Sequence, residues 1–129
     1  IKDASGSLAN FEHYKQKTPV DFLVYSGDDD LTADFVKSGA YGVISVVSHV
    51  CGKQLMALIK AAQIGDTTSL QRLEILMKPL FDVLFIAPNP SPVKYALKLL
   101  GFPSGQPRLP LLEVLPEPTS AVSPNILIT

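Results

Sequence analysis

Between residues 41 and 48 the chain reads YGVISVVS, β-branched and apolar on both faces of a strand. A strand with no polar face needs cover on both sides, and a parallel sheet flanked by helices supplies it. A second short apolar run, VDFLVY, spans residues 20–25, and Ile1-Lys2-Asp3 reads as the end of a strand already in progress. Helical spacing separates these runs. Strand and helix in alternation predict a parallel sheet with right-handed crossovers. Three strands cannot close a barrel, which takes about eight. They leave two open edges and an uncovered face, so the chain reads as a sector of a larger α/β object.

The helices follow from stripes and punctuation. Ser5 or Ser7 is placed to cap a helix carrying Leu8, Phe11 and Tyr14 or Lys15, which Thr18-Pro19 closes. Asp28, Asp29 and Asp30 fall where an acidic first turn suits the helix dipole. Leu31, Phe35 and Val36 give that helix its buried face, and Gly39 ends it. Leu55, Met56, Leu58, Ile59 and Ala62 form the next stripe, stopped by Gly65. Asp66 or Thr67 caps a longer helix with Leu70, Leu73, Met77, Leu80 and Leu84 on one face, and Pro79 is expected to kink it. Asn89-Pro90-Ser91-Pro92 opens a last helix lined by Val93, Leu97 and Leu100, with Gly101 at its end. Ten of the 11 prolines lie at or beyond Pro79, and residues from Pro116 onward read as an irregular tail.

Composition excludes more than it selects. With 11 basic and 12 acidic side chains the net charge is -1, which does not favour nucleic acid as a partner. No apolar run approaches the ~20 residues of a membrane span, and the opening residues do not resemble a signal peptide. The single cysteine, Cys51, cannot form an internal disulfide, so a reducing cytoplasm is the expected compartment. His13 and His49 lack ligand spacing, so no metal site is expected.

Five stretches carry a family resemblance. They are IKDASG at residues 1–6, YSGDD at 25–29, GVISV at 42–46, NPSPVKYALK at 89–98 and, more weakly, RLPL at 108–111. In order and spacing they resemble the dihydrodipicolinate synthase family, across roughly residues 1–115. The resemblance implies a partial (βα)8 TIM barrel, strands six to eight, followed by a C-terminal helical extension. Residues 1–65 would be the barrel portion, 66–115 the extension and 116–129 the tail. It implies that Lys2 forms a Schiff base with pyruvate, that the backbone of Ile44 contacts the bound pyruvate, and that Gly27 sits beside the same pocket. The family condenses pyruvate with aspartate semialdehyde, in lysine and diaminopimelate biosynthesis, and commonly assembles as tetramers. Sister aldolases of the sialic acid and sugar-acid type share the lysine but more often carry a GxIGSTYN-like run where this chain has GVISV. The family's catalytic tyrosine, pyruvate-binding threonines and carboxylate-binding arginine belong to an N-terminal half with no counterpart here. His49 stands where an asparagine is usual, and Pro116–Thr129 replaces a closing helix.

The chemistry also follows from the residue. An imine needs a neutral amine, whereas free lysine titrates near ~10.4, so burial or a nearby cation must lower that value by several units. The lysine itself does the work of a cofactor, and none is expected. A non-catalytic half-barrel fragment is the alternative of a different class. The expected partners are pyruvate, an aldehyde, and either further copies of the chain or the missing half.

Overall fold

The computed structural model describes residues 1–114; the tail expected from Pro116 lies outside the described residues. Three short parallel strands form one sheet in the order β1 (Lys2–Asp3), β2 (Tyr25–Ser26), β3 (Gly42–Val43). Lys2 pairs with Tyr25 and Asp3 with Ser26; Tyr25 pairs with Gly42 and Ser26 with Val43. α1 (Leu8–Lys17) and α2 (Thr32–Lys37) connect the strands, and α3 (Ser48–Ile64), α4 (Thr67–Leu84) and α5 (Ser91–Leu99) follow β3 in succession.

Two clusters hold these elements. Phe11 of α1, Phe35 of α2, Val24 and Ala40 are buried together, with the two phenylalanine rings 5.3 Å apart between centroids. The larger core joins α2 to the last three helices. Ala33 and Val36 meet Leu55, Leu58 and Ala62 of α3, and these meet the α4 stripe and Val93 and Ala96 of α5. The stripe Leu70, Leu73, Met77, Leu80, Leu84 is buried throughout, as its spacing predicts. Asp66 caps α4 by accepting the Ser69 N–H at 3.0 Å. α4 runs through Pro79 as one element. Gly65 closes α3 with φ +73°, a left-handed conformation open to glycine without a Cβ penalty.

Several expectations need correction. The strands are far shorter than the apolar runs. Of residues 20–25 only Tyr25 lies in a strand; Val20 is fully exposed while Val24 is buried. Of residues 41–48 only Gly42 and Val43 do, and Tyr41 and Ile44 are exposed. β2, though paired on both sides, is as short as β3; beyond Ile44 the main chain bonds to the Asp29 side chain and turns into α3. Met56 and Leu100, expected on buried faces, are exposed. Ser7 stands at the N-cap of α1 but makes no side-chain cap bond. α2 begins only at Thr32, so Asp28, Asp29 and Asp30 precede it and do not form its first turn.

Candidate active site at the carboxyl ends of the strands

Lys2 belongs to β1, and its side chain is exposed. Among the described residues its ammonium has no hydrogen-bond or ion-pair partner. Its neighbour Asp3 points the other way, 3% exposed, and accepts the Ser5 N–H at 3.0 Å, which fixes the turn leaving the strand. Alternation along the strand thus anchors one side chain and frees the next.

Gly27 follows the last residue of β2 and donates its N–H to the Asp3 carbonyl at 2.5 Å. A Cβ on Gly27 would stand 2.6 Å from Lys2 Cε, 2.6 Å from Ala4 Cβ and 2.9 Å from the Asp3 oxygen. The Lys2 end can move, but the Ala4 Cβ and the Asp3 carbonyl are fixed by the main chain, so glycine suits the position. Ile44 follows the last residue of β3, and its N–H donates to the Ser26 carbonyl at 2.8 Å. Lys2, Gly27 and Ile44 therefore come together at the carboxyl ends of three adjacent strands, where active sites of parallel α/β folds are built. β2 lies between the strands that carry Lys2 and lead to Ile44.

The loop between β2 and α2 ties its neighbours together, a role that the short-range reading of its acids missed. Asp28 Oδ2 accepts the Gly6 N–H at 2.8 Å, from the loop after β1. Asp29 Oδ2 accepts the N–H groups of Val46 at 2.9 Å and Val47 at 3.2 Å, from the loop after β3. Ser26 Oγ and Thr32 Oγ1 both donate to the Asp28 carbonyl. The available signal was position: polar acids just beyond a strand's carboxyl end sit where neighbouring loops converge. Cys51 is buried, as expected of a small core residue, and its thiol donates to the Val47 carbonyl at 3.5 Å. Burial pushes its thiol up to about 11, and the Asp29 carboxylate adds to the rise. His13 and His49 are exposed, and no group of three His, Cys, Asp or Glu able to hold a metal occurs among the described residues.

The family model for the dihydrodipicolinate synthetase family matches residues 1–127. The chain belongs to the dihydrodipicolinate synthetase family. A 4-hydroxy-tetrahydrodipicolinate synthase of Moorella thermoacetica is 47% identical over 112 residues, covering 87% of this chain and 38% of that protein. One from Synechococcus elongatus is 44% identical over 123 residues, covering 95% of this chain and 41% of its own length. Among solved structures, a dihydrodipicolinate synthase of Bacillus anthracis superposes with TM-score 0.89 at 41% identity, over 98% of this chain and 43% of that one. The enzyme of Cyanidioschyzon merolae, solved with lysine bound, gives TM-score 0.86 at 38% identity, over 94% and 41%. The chain thus spans about two fifths of the length of the synthetase-family relatives it matches. No helix of the described residues is long and apolar enough to cross a membrane.

Proposed function

We propose that this chain carries the Schiff-base lysine of a pyruvate-dependent lyase, with Lys2 as the nucleophile. The observation that carries the reading is the placement of Lys2 at a strand's carboxyl end, with the Gly27 main chain passing close beside its side chain. In the proposed reaction the neutral Lys2 amine adds to the keto carbon of pyruvate, and water leaves as the imine forms. The protonated imine draws electrons from the methyl group, which loses a proton. The resulting enamine attacks the aldehyde carbon of the second substrate, and hydrolysis of the imine returns Lys2. Ile44 would hold the keto acid through its main chain, and Gly27 would shape the wall beside it. The names of the relatives favour aspartate semialdehyde as the aldehyde, over the sugar-acid partners of the sister aldolases.

The order of elements supports reading the three strands as the closing strands of a (βα)8 barrel. Inside such a barrel a strand follows each helix; here three helices follow β3 in succession. On this reading residues 1–65 are barrel and 66–115 the helical extension. The exposure of Lys2 supports a further point. Three strands alone do not give the amine dry surroundings, so the 129-residue chain by itself should turn over negligibly. The cytoplasm is the proposed compartment.

Borohydride reduction in the presence of pyruvate tests the assignment. With the remaining strands supplied as a second polypeptide, a stable three-carbon adduct should map to Lys2 and disappear in Lys2→Arg. An adduct on the Ile1 amine alone, or none, would overturn the proposal. Normal synthase turnover by the isolated chain would overturn the dependence on the remaining strands.

A further inference from the structure

We infer that Asp29 is a positioning residue for this site: its carboxylate sets the loop 44–47, and with it the Ile44 main chain, against Lys2. The inference rests on the roles proposed above for Lys2 and Ile44. Asp29 is 2% exposed, and its Oδ2 alone takes both N–H groups, from Val46 and Val47. Its Oδ1 is buried without a hydrogen-bond partner among the described residues. A buried carboxylate satisfied on one oxygen only is a poor stabilising device, since desolvation of a charge costs several kcal/mol and an apolar side chain would fill the space more cheaply. What it supplies is a fixed point for two donors.

The loop needs such a point. Val47 is the N-cap of α3 and offers no side-chain cap of its own. Non-helical angles at Cys51, φ -143° and ψ 45°, separate the first turn of α3 from the packed body of that helix. The first turn of α3 therefore bonds mostly within itself, His49 N–H to the Val46 carbonyl and the N–H groups of Val50 and Cys51 to that of Val47. Ser45 and Ser48 also bond within the segment, and Val47 is buried in the larger core; hydrogen bonds that tie the segment to the β2 side are the Ile44 bond to Ser26 and the two bonds to Asp29. Of these, only Asp29 reaches the segment through a buried side chain from the neighbouring loop. That same loop presses Gly27 against Lys2 and, through Asp28, holds the Gly6 N–H. One loop thus meets both the Lys2 and the Ile44 sides of the candidate site, and Asp29 is its link to the Ile44 side.

Two substitutions separate positioning from charge and from bulk stability. Asp29→Asn keeps an acceptor oxygen for Val46 and Val47; Asp29→Ala removes it. In the chain itself, amide exchange followed by NMR should speed up at Val46 and Val47 in the alanine variant and not in the asparagine variant. Amides of the buried α4 stripe should exchange as before in both. With the barrel completed by the remaining strands, Asp29→Ala should raise KM for pyruvate roughly tenfold while kcat changes by less than about threefold, and Asp29→Asn should restore most of the loss. Unchanged KM in the alanine variant, asparagine behaving as alanine, or faster exchange throughout α4 would each overturn the assignment. Loss of the Lys2 adduct in the unsubstituted protein would instead defeat the Schiff-base reading, and the exchange data would still decide whether Asp29 holds the loop.

Discussion

Gly27 has no side chain, and the space where one would stand is already filled by Ala4, Lys2 and the Asp3 carbonyl. The Lys2 methylene can swing aside; the Ala4 Cβ and the Asp3 oxygen move only with the end of β1. Gly27→Ala should therefore destabilise by about 1–3 kcal/mol, the usual range for overpacking, and slow pyruvate capture at Lys2. Denaturant midpoints and borohydride trapping in the completed barrel would show both; a fully stable variant with normal capture would refute the close-approach argument. Cys51 gives a second residue-scale outcome. Its thiol rises from an ordinary value of about 9 to about 11 in the folded chain. Below that window both folded and unfolded chains hold the proton. Within it the unfolded chain releases the proton first, so stability falls as pH rises from about 9 to about 11, by on the order of 2 kcal/mol. Urea titrations on either side of the window should show this slope, and Cys51→Ala should remove it. At this scale Lys2, Gly27 and Ile44 were singled out by their motifs alone, and the structure puts them at the carboxyl ends of adjacent strands. Asp28 and Asp29 were misread, because a rule about acids near helix starts looks along the chain while their donors lie in the neighbouring loops.

Helices were the legible elements. A stripe recurring every three or four residues fixes the buried face of α4, and Asp66 marks where it starts. Met77 is 1% exposed and Ile75 76%. Met77→Ala should cost about 2–5 kcal/mol by leaving a cavity between α3, α4 and α5. Ile75→Ala should stay within about 0.5 kcal/mol, as for most surface changes. Equal effects in urea unfolding would show that the stripe does not carry the packing. The strands were legible as strands, but their ends were not. Composition reports that Val20–Tyr25 and Tyr41–Ser48 can be extended; only a neighbour with free N–H and C=O groups decides how much of each run pairs. Met56, placed in a stripe by spacing, lies on the exposed side of α3, because spacing alone does not say how wide the covered face is.

Across the whole molecule, β1 and β3 are both edges, and Ile1, Phe22, Leu23, Tyr41 and Ile44 leave apolar surface exposed around the sheet. Unpaired edges beside apolar surface promote pairing with other chains. Sedimentation of the isolated chain should show association that grows with concentration, and adding a polypeptide with the remaining strands should suppress it. A monodisperse monomer at high concentration, unchanged by that addition, would contradict this account. The count of strands predicts a sector of a larger α/β object, and the matched relatives are more than twice as long as the matched segment. The sequence by itself determined what depends on near neighbours along the chain: the helical stripes, the caps at Asp66 and Gly65, the parallel class of sheet, and a lysine in a recognisable motif. Tertiary structure alone decided where the strands stop and which loop Asp29 holds. Both depend on donors and acceptors that become neighbours only when register aligns the strand ends.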